Sequence, residues 1–232
     1  MCKFFSFVGD EYGNYLYSDW NTRKGNTTEN HDSHTTILTR NKVPPRLQDR
    51  WSKYEYNPIT KEFAVDQGVD GHDHEAAENW IRHLNFKNVV EPLVIKKIRN
   101  PLTGKAKNVS EKEIALLEEW IKVWYSVRDS VWASVKDTVG YSVRDSVRGS
   151  VRDSVGHSVW VSVGDSVGDS VWDSVWASVW AYISSFFKIQ YEHDFSSAVN
   201  LWNSGFVSSF DGETWRLHSG KTAEIVYERR RT

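Results

Sequence analysis

Two short clusters of histidine and carboxylate residues offer the most direct chemistry in this 232-residue chain. They are His31-Asp32-Ser33-His34 and His72-Asp73-His74-Glu75, and together they hold four of the eight histidines. Imidazole and carboxylate groups bind zinc and other divalent metals, so two clusters that converge in space would form a metal site. The alternative is two solvated loops, the second of which supplies the acidic first turn of a helix. The candidate metal ligands are His31, His34, His72 and His74.

Two sets of mixed aromatic and basic residues are the candidate ligand-binding positions. Aromatic rings stack on bases and basic side chains bind phosphates, so such mixtures favour a nucleotide ligand. The alternative is a structural role, because alternation along a strand places about half of these rings in the core. No Gly-rich phosphate loop, Ser-His-Asp order or C-x-x-C pair accompanies them. The candidate residues are Tyr17, Trp20 and Arg23 near the N-terminus, and Trp215, Arg216 and His218 near the C-terminus.

A tetrapeptide repeat, S-V-x-z, runs without a break from Ser126 to Ala181 in fourteen copies. The second position is valine in every copy, whereas the third takes only Trp, Arg, Gly or Lys. Codons for Trp, Arg and Gly interconvert by one base change, so the array resembles a slipped twelve-nucleotide DNA repeat that has since mutated. The positions at which the copies differ are those where the side chain was free to change.

The second half of the array is the candidate interaction surface. Exposed tryptophan is enriched at interfaces, and a row of such rings is an apolar patch of the kind that marks association. We therefore expect a homo-oligomer joined through residues 158 to 187, with Asp173 and serine hydroxyls as a polar rim. The alternative is that the rings pack on the surface of the array itself. The candidate surface residues are Trp160, Trp172, Trp176 and Trp180.

Two architectures compete for the array. In an α-helix four residues turn about 400°, so the valine stripe drifts by about 40° per copy and no single partner holds every valine. Serine, valine, aspartate and glycine are also poor helix formers. In a β-solenoid every copy occupies an equivalent environment with valine inward, which favours the solenoid. A long helix or helical hairpin is the alternative, because the array follows a capped helix and contains no proline.

The predicted fold class is α+β in four segments. Residues 1–104 form an N-terminal mixed α/β domain, with a hairpin around Asn57-Pro58, a polar loop-rich stretch over 21–50 and a β-rich run over 88–98. Residues 105–125 form a helix with a capping box at Ser110 and Glu113. The array occupies 126–187. Residues 188–232 form a short helix and a small β-meander with turns at Asp211-Gly212 and Ser219-Gly220.

Composition narrows the class of protein. Lysine and arginine number 29 against 31 acidic residues, so no global charge attracts nucleic acid or an anionic membrane. No stretch approaches the roughly 18 apolar residues of a membrane helix, and the N-terminal apolar run is too short for a signal peptide. The single cysteine, Cys2, fits a reducing cytoplasm. Cys2 is also a weak candidate N-terminal nucleophile. No cofactor is expected.

The segments that flank the array carry a resemblance. KFFSFVGDEYGNYLYSDW, SHTTI, KYEYNPITKEFAVDQ, NVVEPLVIKKIRNP, WAYISSFF and LWNSGFVSSFDGETWRLHSGK resemble a family of small accessory proteins that recur in bacteriophage and prophage genomes. Members often have a central S-V-(W/R/G)-D array of varying length. The resemblance implies a non-enzymatic phage protein of the bacterial cytoplasm that binds a host protein or a small nucleotide, and it transfers no site residues. The competing hypothesis is a metal-dependent enzyme acting on a nucleotide or nucleic acid through the histidine clusters.

Overall fold

The computed structural model describes residues 5–24 and 29–231, which fold as a mixed α/β protein with nine α-helices and two antiparallel sheets. Cys2 lies outside these residues. The chain divides into two compact units. The first contains the described residues up to Lys97 and Val135–Arg148, and the second contains Ile98–Ser134 and the described residues from Gly149 on. The units do not coincide with the four predicted segments, because the array contributes to both.

The first unit is built on a four-stranded antiparallel sheet in the order β2-β1-β3-β4. Its strands are β1 (Phe5–Gly9), β2 (Tyr15–Leu16), β3 (Ser52–Asn57) and β4 (Glu62–Gln67). Strands β3 and β4 form the hairpin expected around Asn57-Pro58, where the Asn57 side chain accepts backbone hydrogen bonds from Ile59 and Thr60. The helices are α1 (Trp20–Arg23), α2 (His34–Arg40) and α3 (His74–Arg82).

The two faces of β1 carry different kinds of core. On one face the Phe7 ring stacks on Tyr54 at a centroid distance of 4.9 Å and lies 5.1 Å from Trp80 of α3. On the other face Val8 packs with Ile37 and Leu38 of α2. Strict alternation along the strand separates the aromatic from the aliphatic residues, so β1 is buried throughout.

The second unit combines helices with a three-stranded meander. Strands β5 (Phe206–Phe210), β6 (Thr214–Ser219) and β7 (Glu224–Arg230) pair in sequence order, and α4 (Glu111–Trp124) and α9 (Ser196–Ser204) pack on one another. The predicted capping box at Ser110 is confirmed, since the Glu113 side chain accepts from the Ser110 backbone N–H at 3.1 Å.

The tetrapeptide array is helical, so the predicted β-solenoid is wrong. It forms α5 (Val127–Val139), α6 (Tyr141–Val151), a π-helical turn (Arg152–Gly156), α7 (His157–Val167), a 3-10 turn (Asp169–Val171) and α8 (Trp172–Ser184). Poor helix propensity is a weak preference that burial of an apolar stripe overrides. None of the helices in the described ranges has the length and apolar content needed to cross a membrane.

Interruptions of the helix prevent the valine stripe from drifting. Thirteen of the fourteen valines at the second position of the copies are buried, and Val167 is partly exposed. The array breaks at Gly140 and Gly168, which have φ of 79° and 87°, and it widens into the π turn between them. No α-helix therefore carries more than four array valines, and the drift within one helix stays near 120°, about the width of an ordinary apolar stripe.

Serine, at the first position of thirteen of the fourteen copies, suits a helix because its hydroxyl bonds to the preceding turn. The Ser130 Oγ donates to the Ser126 carbonyl at 2.9 Å and the Ser158 Oγ donates to the Val155 carbonyl at 3.0 Å. Such back-bonding satisfies a small polar side chain without water. In α8 the same position also reaches β5, where the Phe210 N–H donates to the Ser174 Oγ at 2.8 Å. Ser178 likewise bonds to the Ser208 hydroxyl at 2.9 Å.

We expect Val163→Asp to cost several kcal/mol of unfolding free energy, because it buries a carboxylate without a partner. Val167→Asp is the matched control in the same helix and should cost much less, since Val167 is already in contact with water. Urea unfolding followed by circular dichroism measures both. Equal losses would show that burial of the valine stripe does not stabilise the helices.

Two array glycines should respond with opposite signs to the same substitution. Gly168→Ala forces an L residue to φ of 87° and should destabilise by about 1–2 kcal/mol, although nothing lies within 4 Å of the new methyl group. Gly164→Ala lies inside α7, where alanine is the better helix former, and should stabilise by about 0.5–1 kcal/mol. Thermal and urea unfolding measure the change in stability of each variant. A stabilised Gly168→Ala variant would contradict a conformational role for that glycine.

Candidate functional site

The four predicted surface tryptophans lie together as a ladder of rings on α7 and α8. Trp160 contacts Trp172 edge to face at 4.5 Å between centroids, Trp172 lies 5.9 Å from Trp176, and Trp176 lies 6.0 Å from Trp180. The third position of the two intervening copies is glycine, at Gly164 and Gly168. Gly168 ends α7 with a positive φ of 87°, and Trp160 meets Trp172 across the turn that follows. We call these four residues the tryptophan ladder.

The ladder is graded from exposed to buried. Trp172 is 45% exposed, Trp160 and Trp176 are partly buried, and Trp180 is 8% exposed. Trp180 therefore supports the ladder from within, whereas Trp172 offers most of its accessible ring surface. The exposed Val161 of α7 adds a further apolar side chain in this part of the array.

Two indole N–H groups of the ladder lack an acceptor. The Nε1 atoms of Trp160 and Trp176 are buried and make no hydrogen bond within the described part of the chain. An unmade hydrogen bond of a buried donor costs about 1–3 kcal/mol. Tryptophan N–H groups in a core normally find a partner. The ladder is therefore held together by ring packing, and two of its hydrogen-bond donors are unsatisfied within the described residues.

The N-terminal ligand-binding candidates form part of the core of the first unit. The Arg23 guanidinium is buried and binds both carboxylate oxygens of Asp32, at 3.0 and 2.7 Å, while its Nε donates to the Ser18 carbonyl at 2.7 Å. Tyr17 contacts Phe5 edge to face at 5.6 Å, and Trp20 begins α1. A guanidinium with a bidentate carboxylate partner is neutralised and is not available to a phosphate.

The C-terminal ligand-binding candidates are likewise occupied. The Arg216 guanidinium binds Asp211 at 2.6 Å and Glu228 at 2.9 Å, and these contacts raise its pKa against the opposing effect of burial. The Trp215 ring is buried and stacks on Phe210 at 4.7 Å. The members of each predicted set lie close together in the sequence. These contacts join them to other residues of the same unit.

His218 has a defined protonation state. It is fully buried, its Nδ1 lies 2.9 Å from the Ala223 carbonyl, and its Nε2 lies 2.7 Å from the Ser209 hydroxyl. A carbonyl only accepts, so Nδ1 carries the proton and Nε2 accepts from Ser209. Burial lowers the pKa of His218, which keeps the ring neutral.

The predicted metal ligands do not form a metal centre. Across residues 5–24 and 29–231, no three His, Cys, Asp or Glu side chains are arranged to hold an ion. Three of the four histidines instead bond to strand β3. His72 bonds to the Ser52 hydroxyl at 2.8 Å, His74 to the Tyr54 hydroxyl at 3.0 Å, and His34 to the Tyr54 carbonyl at 3.1 Å. His31 is buried, with its Nδ1 3.2 Å from Arg40.

Two pairs of hydroxyl and imidazole groups, Ser52 with His72 and Tyr54 with His74, have the composition of a catalytic dyad, but their hydroxyl groups are not accessible to a substrate. Ser52 is fully buried and its Oγ accepts from the Val69 N–H at 3.0 Å. Tyr54 is also buried, and desolvation raises its pKa. A nucleophile has to reach its substrate, so these contacts position the loop before α3 rather than perform chemistry.

The structure also contains an open cleft that the sequence did not indicate. It has a volume of about 590 Å³ and lies between the end of α8 and the start of α9, lined in part by Phe187, Tyr191, His193 and Phe195. Two of its polar groups have internal partners, since the Tyr191 hydroxyl donates to the Ser184 carbonyl and Asp194 accepts from the Ser196 N–H. Burial raises the pKa of Tyr191. A Tyr-x-His-Asp spacing in a loop carries no distinctive sequence signal.

We expect His218 to make stability depend on pH. The unfolded chain binds a proton at this residue near pH 6.5, whereas the folded chain resists it, so the contribution is complete above pH 6.5 and declines as the pH falls below that value. Urea unfolding at several pH values between 8 and 5 measures the slope. His218→Gln should reduce it, and His83→Gln, which changes an exposed histidine of the first unit, controls for the loss of an imidazole. An unchanged slope in His218→Gln would contradict the assignment.

No protein-family model, curated protein or solved structure matches the chain. No three His, Cys, Asp or Glu side chains of residues 5–24 and 29–231 are arranged to hold an ion, and both arginines of the ligand-binding sets are tied into ion pairs. The tryptophan ladder is the remaining candidate site, and it is defined by its own residues and geometry.

Proposed function

We propose that this chain is a non-enzymatic binding protein that docks a protein partner through the tryptophan ladder. The observation that carries the proposal is the ladder itself, four rings in sequence with Trp172 45% exposed and two buried indole N–H groups that find no acceptor among the described residues. Tryptophan is among the residues that contribute most to binding energy at protein interfaces. A bound partner would cover Trp172 and remove it from water.

The pairing of the candidate cations favours a protein partner over a nucleotide. Arg23 is paired with Asp32, and Arg216 is paired with both Asp211 and Glu228. Each candidate phosphate-binding cation is thus already matched by carboxylate. Tryptophan rings, in contrast, contribute a large apolar area, about 150–250 Å² each when buried.

The biological setting belongs to the same proposal. The resemblance of the flanking segments to phage and prophage accessory proteins supports a protein that acts in the bacterial cytoplasm and binds a host protein, with antagonism of a host defence system as its purpose. The single cysteine is consistent with a reducing compartment. A second copy of the chain is the other occupant of the ladder, and a homo-oligomer joined through residues 158 to 187 stays a prediction.

Replacement of the most exposed ring tests the proposal. Trp172→Ala should abolish partner binding or self-association while leaving the helical circular dichroism signal unchanged. Tyr12→Ala removes an aromatic side chain that is 80% exposed in the first unit and serves as the matched control. Sedimentation velocity measures mass, and affinity purification from phage-infected host lysate compares the proteins that each variant retains.

The proposal requires a difference between the two variants. A protein that co-purifies with the original chain and Tyr12→Ala but not with Trp172→Ala would support it, as would a dimer lost only in Trp172→Ala. Identical mass and identical co-purifying proteins in all three would show that the ladder serves the fold alone.

A further inference from the structure

The charge of the array is uneven along its length. Between Asp153 and Phe187 the chain contains four aspartates and no lysine or arginine, whereas the first half of the array contains five basic residues. The aspartates are Asp153, Asp165, Asp169 and Asp173. The tryptophan ladder therefore lies entirely in an acidic segment.

We propose that the partner segment docked on the ladder is basic, with an arginine or lysine side chain over the indole face of Trp172 and the carboxylates of Asp165 and Asp169 beside it. This inference rests on the proposed function and names the chemistry of its partner. An aromatic face attracts a cation through its quadrupole, and tryptophan is the strongest of the aromatic residues in this respect.

The carboxylates are available for such a contact. Asp165 and Asp169 are exposed, and neither forms an ion pair with another residue of the described chain. The Asp169 Oδ1 lies 3.8 Å from the position of a Cβ at Gly164, which places it against α7. Nothing lies within 4 Å of the corresponding position at Gly168, so the turn between Trp160 and Trp172 is open. A long basic side chain has room to enter there.

This chain already uses the same contact elsewhere. The Arg144 guanidinium lies 4.7 Å from the centroid of the Tyr141 ring, and the Lys136 ammonium lies 5.2 Å from it. Arg144 is also paired with Asp145 at 2.8 Å. A guanidinium between an aromatic face and a carboxylate is thus a stable arrangement in this protein. The segment that carries the ladder contains the two components of that arrangement, an exposed indole ring and exposed carboxylates.

Charge also favours a foreign segment over a second copy. The basic residues in the first half of the array that have defined contacts are engaged within their own chain, since Arg144 binds Asp145, Arg152 binds Asp153 and Lys136 lies over Tyr141. A second copy that approached through the first half of its own array would have to break these contacts before it presented a cation to the ladder. A basic peptide has no such contacts to lose.

Binding of a nona-arginine peptide, followed by tryptophan fluorescence, tests the inference. A nona-citrulline peptide is the matched probe, because it keeps the hydrogen-bonding side chain and removes the charge. At low salt the original chain should bind nona-arginine and not nona-citrulline. The double variant Asp165→Asn/Asp169→Asn should bind about fivefold more weakly for each carboxylate removed, with the difference diminished at high salt. Asp165 lies in the last turn of α7, where a negative charge is unfavourable, so its replacement is not expected to unfold the helix.

Matched variants separate a specific contact from general attraction to an acidic protein. Asp70→Asn/Glu75→Gln removes two exposed charges from the first unit and should leave nona-arginine affinity unchanged, whereas Trp172→Ala should reduce it. Equal binding by all variants, or no binding at all, would overturn the inference. If Trp172→Ala loses its partner or its dimer while nona-arginine does not bind, the proposed function stands and only the basic character of the partner is wrong. A dimer that nona-arginine cannot dissociate would identify a second copy as the occupant of the ladder. That result would also overturn the inference of a basic partner.

Discussion

The mismatch between a four-residue repeat and the 3.6-residue turn of an α-helix governs the structure of this protein. A valine in every fourth position drifts by about 40° per copy, and a continuous helix of fourteen copies would carry that stripe more than once around its axis. The chain keeps its valines buried because Gly140, the π turn over 152–156 and Gly168 divide the array into short helices. Burial of a shared valine stripe does not require a solenoid, since a segmented helix achieves it as well.

The same interruptions produce the candidate site. Gly164 and Gly168 occupy positions that other copies fill with tryptophan or arginine. The positive φ of Gly168 ends α7, and Trp160 meets Trp172 across the turn that follows. The break that limits the drift of the valine stripe therefore also sets where the rings of α7 and α8 meet.

Local patterns predicted local elements well. The capping box at Ser110 and the hairpin at Asn57-Pro58 depend on residues that are neighbours in sequence, and both are present. Helix α2 lies within the polar stretch over 21–50 that is expected to be loop-rich. A local signal for this helix is present, because the N-cap Ser33 precedes the apolar pair Ile37 and Leu38. The β-rich run over 88–98 contains no extended strand. Its apolar residues Val89, Val90 and Leu93 are buried, Leu93 forms an isolated β-bridge, and Pro92 removes a donor that a longer ladder would need.

The roles of the charged candidates could not be predicted, because their partners are set by tertiary structure. Arg23 and Arg216 have the composition of phosphate ligands, yet the turns and strand pairing around them bring in Asp32, nine residues after Arg23, Asp211, five residues before Arg216, and Glu228, opposite Arg216 on β7. The histidine clusters do approach a common strand, but as hydrogen-bond partners of Ser52 and Tyr54. Residue type alone does not distinguish a buried ion pair from a binding site.

The hydroxyls of Ser174 and Ser178, which bond to β5, make the last copies of the array different from the rest. The Ser174 hydroxyl bonds to the backbone of Phe210 on β5, which is an edge strand of the meander, and an uncovered edge strand is a template for aggregation. DNA slippage adds or removes whole copies without regard to position, but the protein can accept such changes only where no copy has a tertiary partner of its own. Length polymorphism among related arrays should therefore concentrate before the π turn, while the final copies stay fixed in number and register.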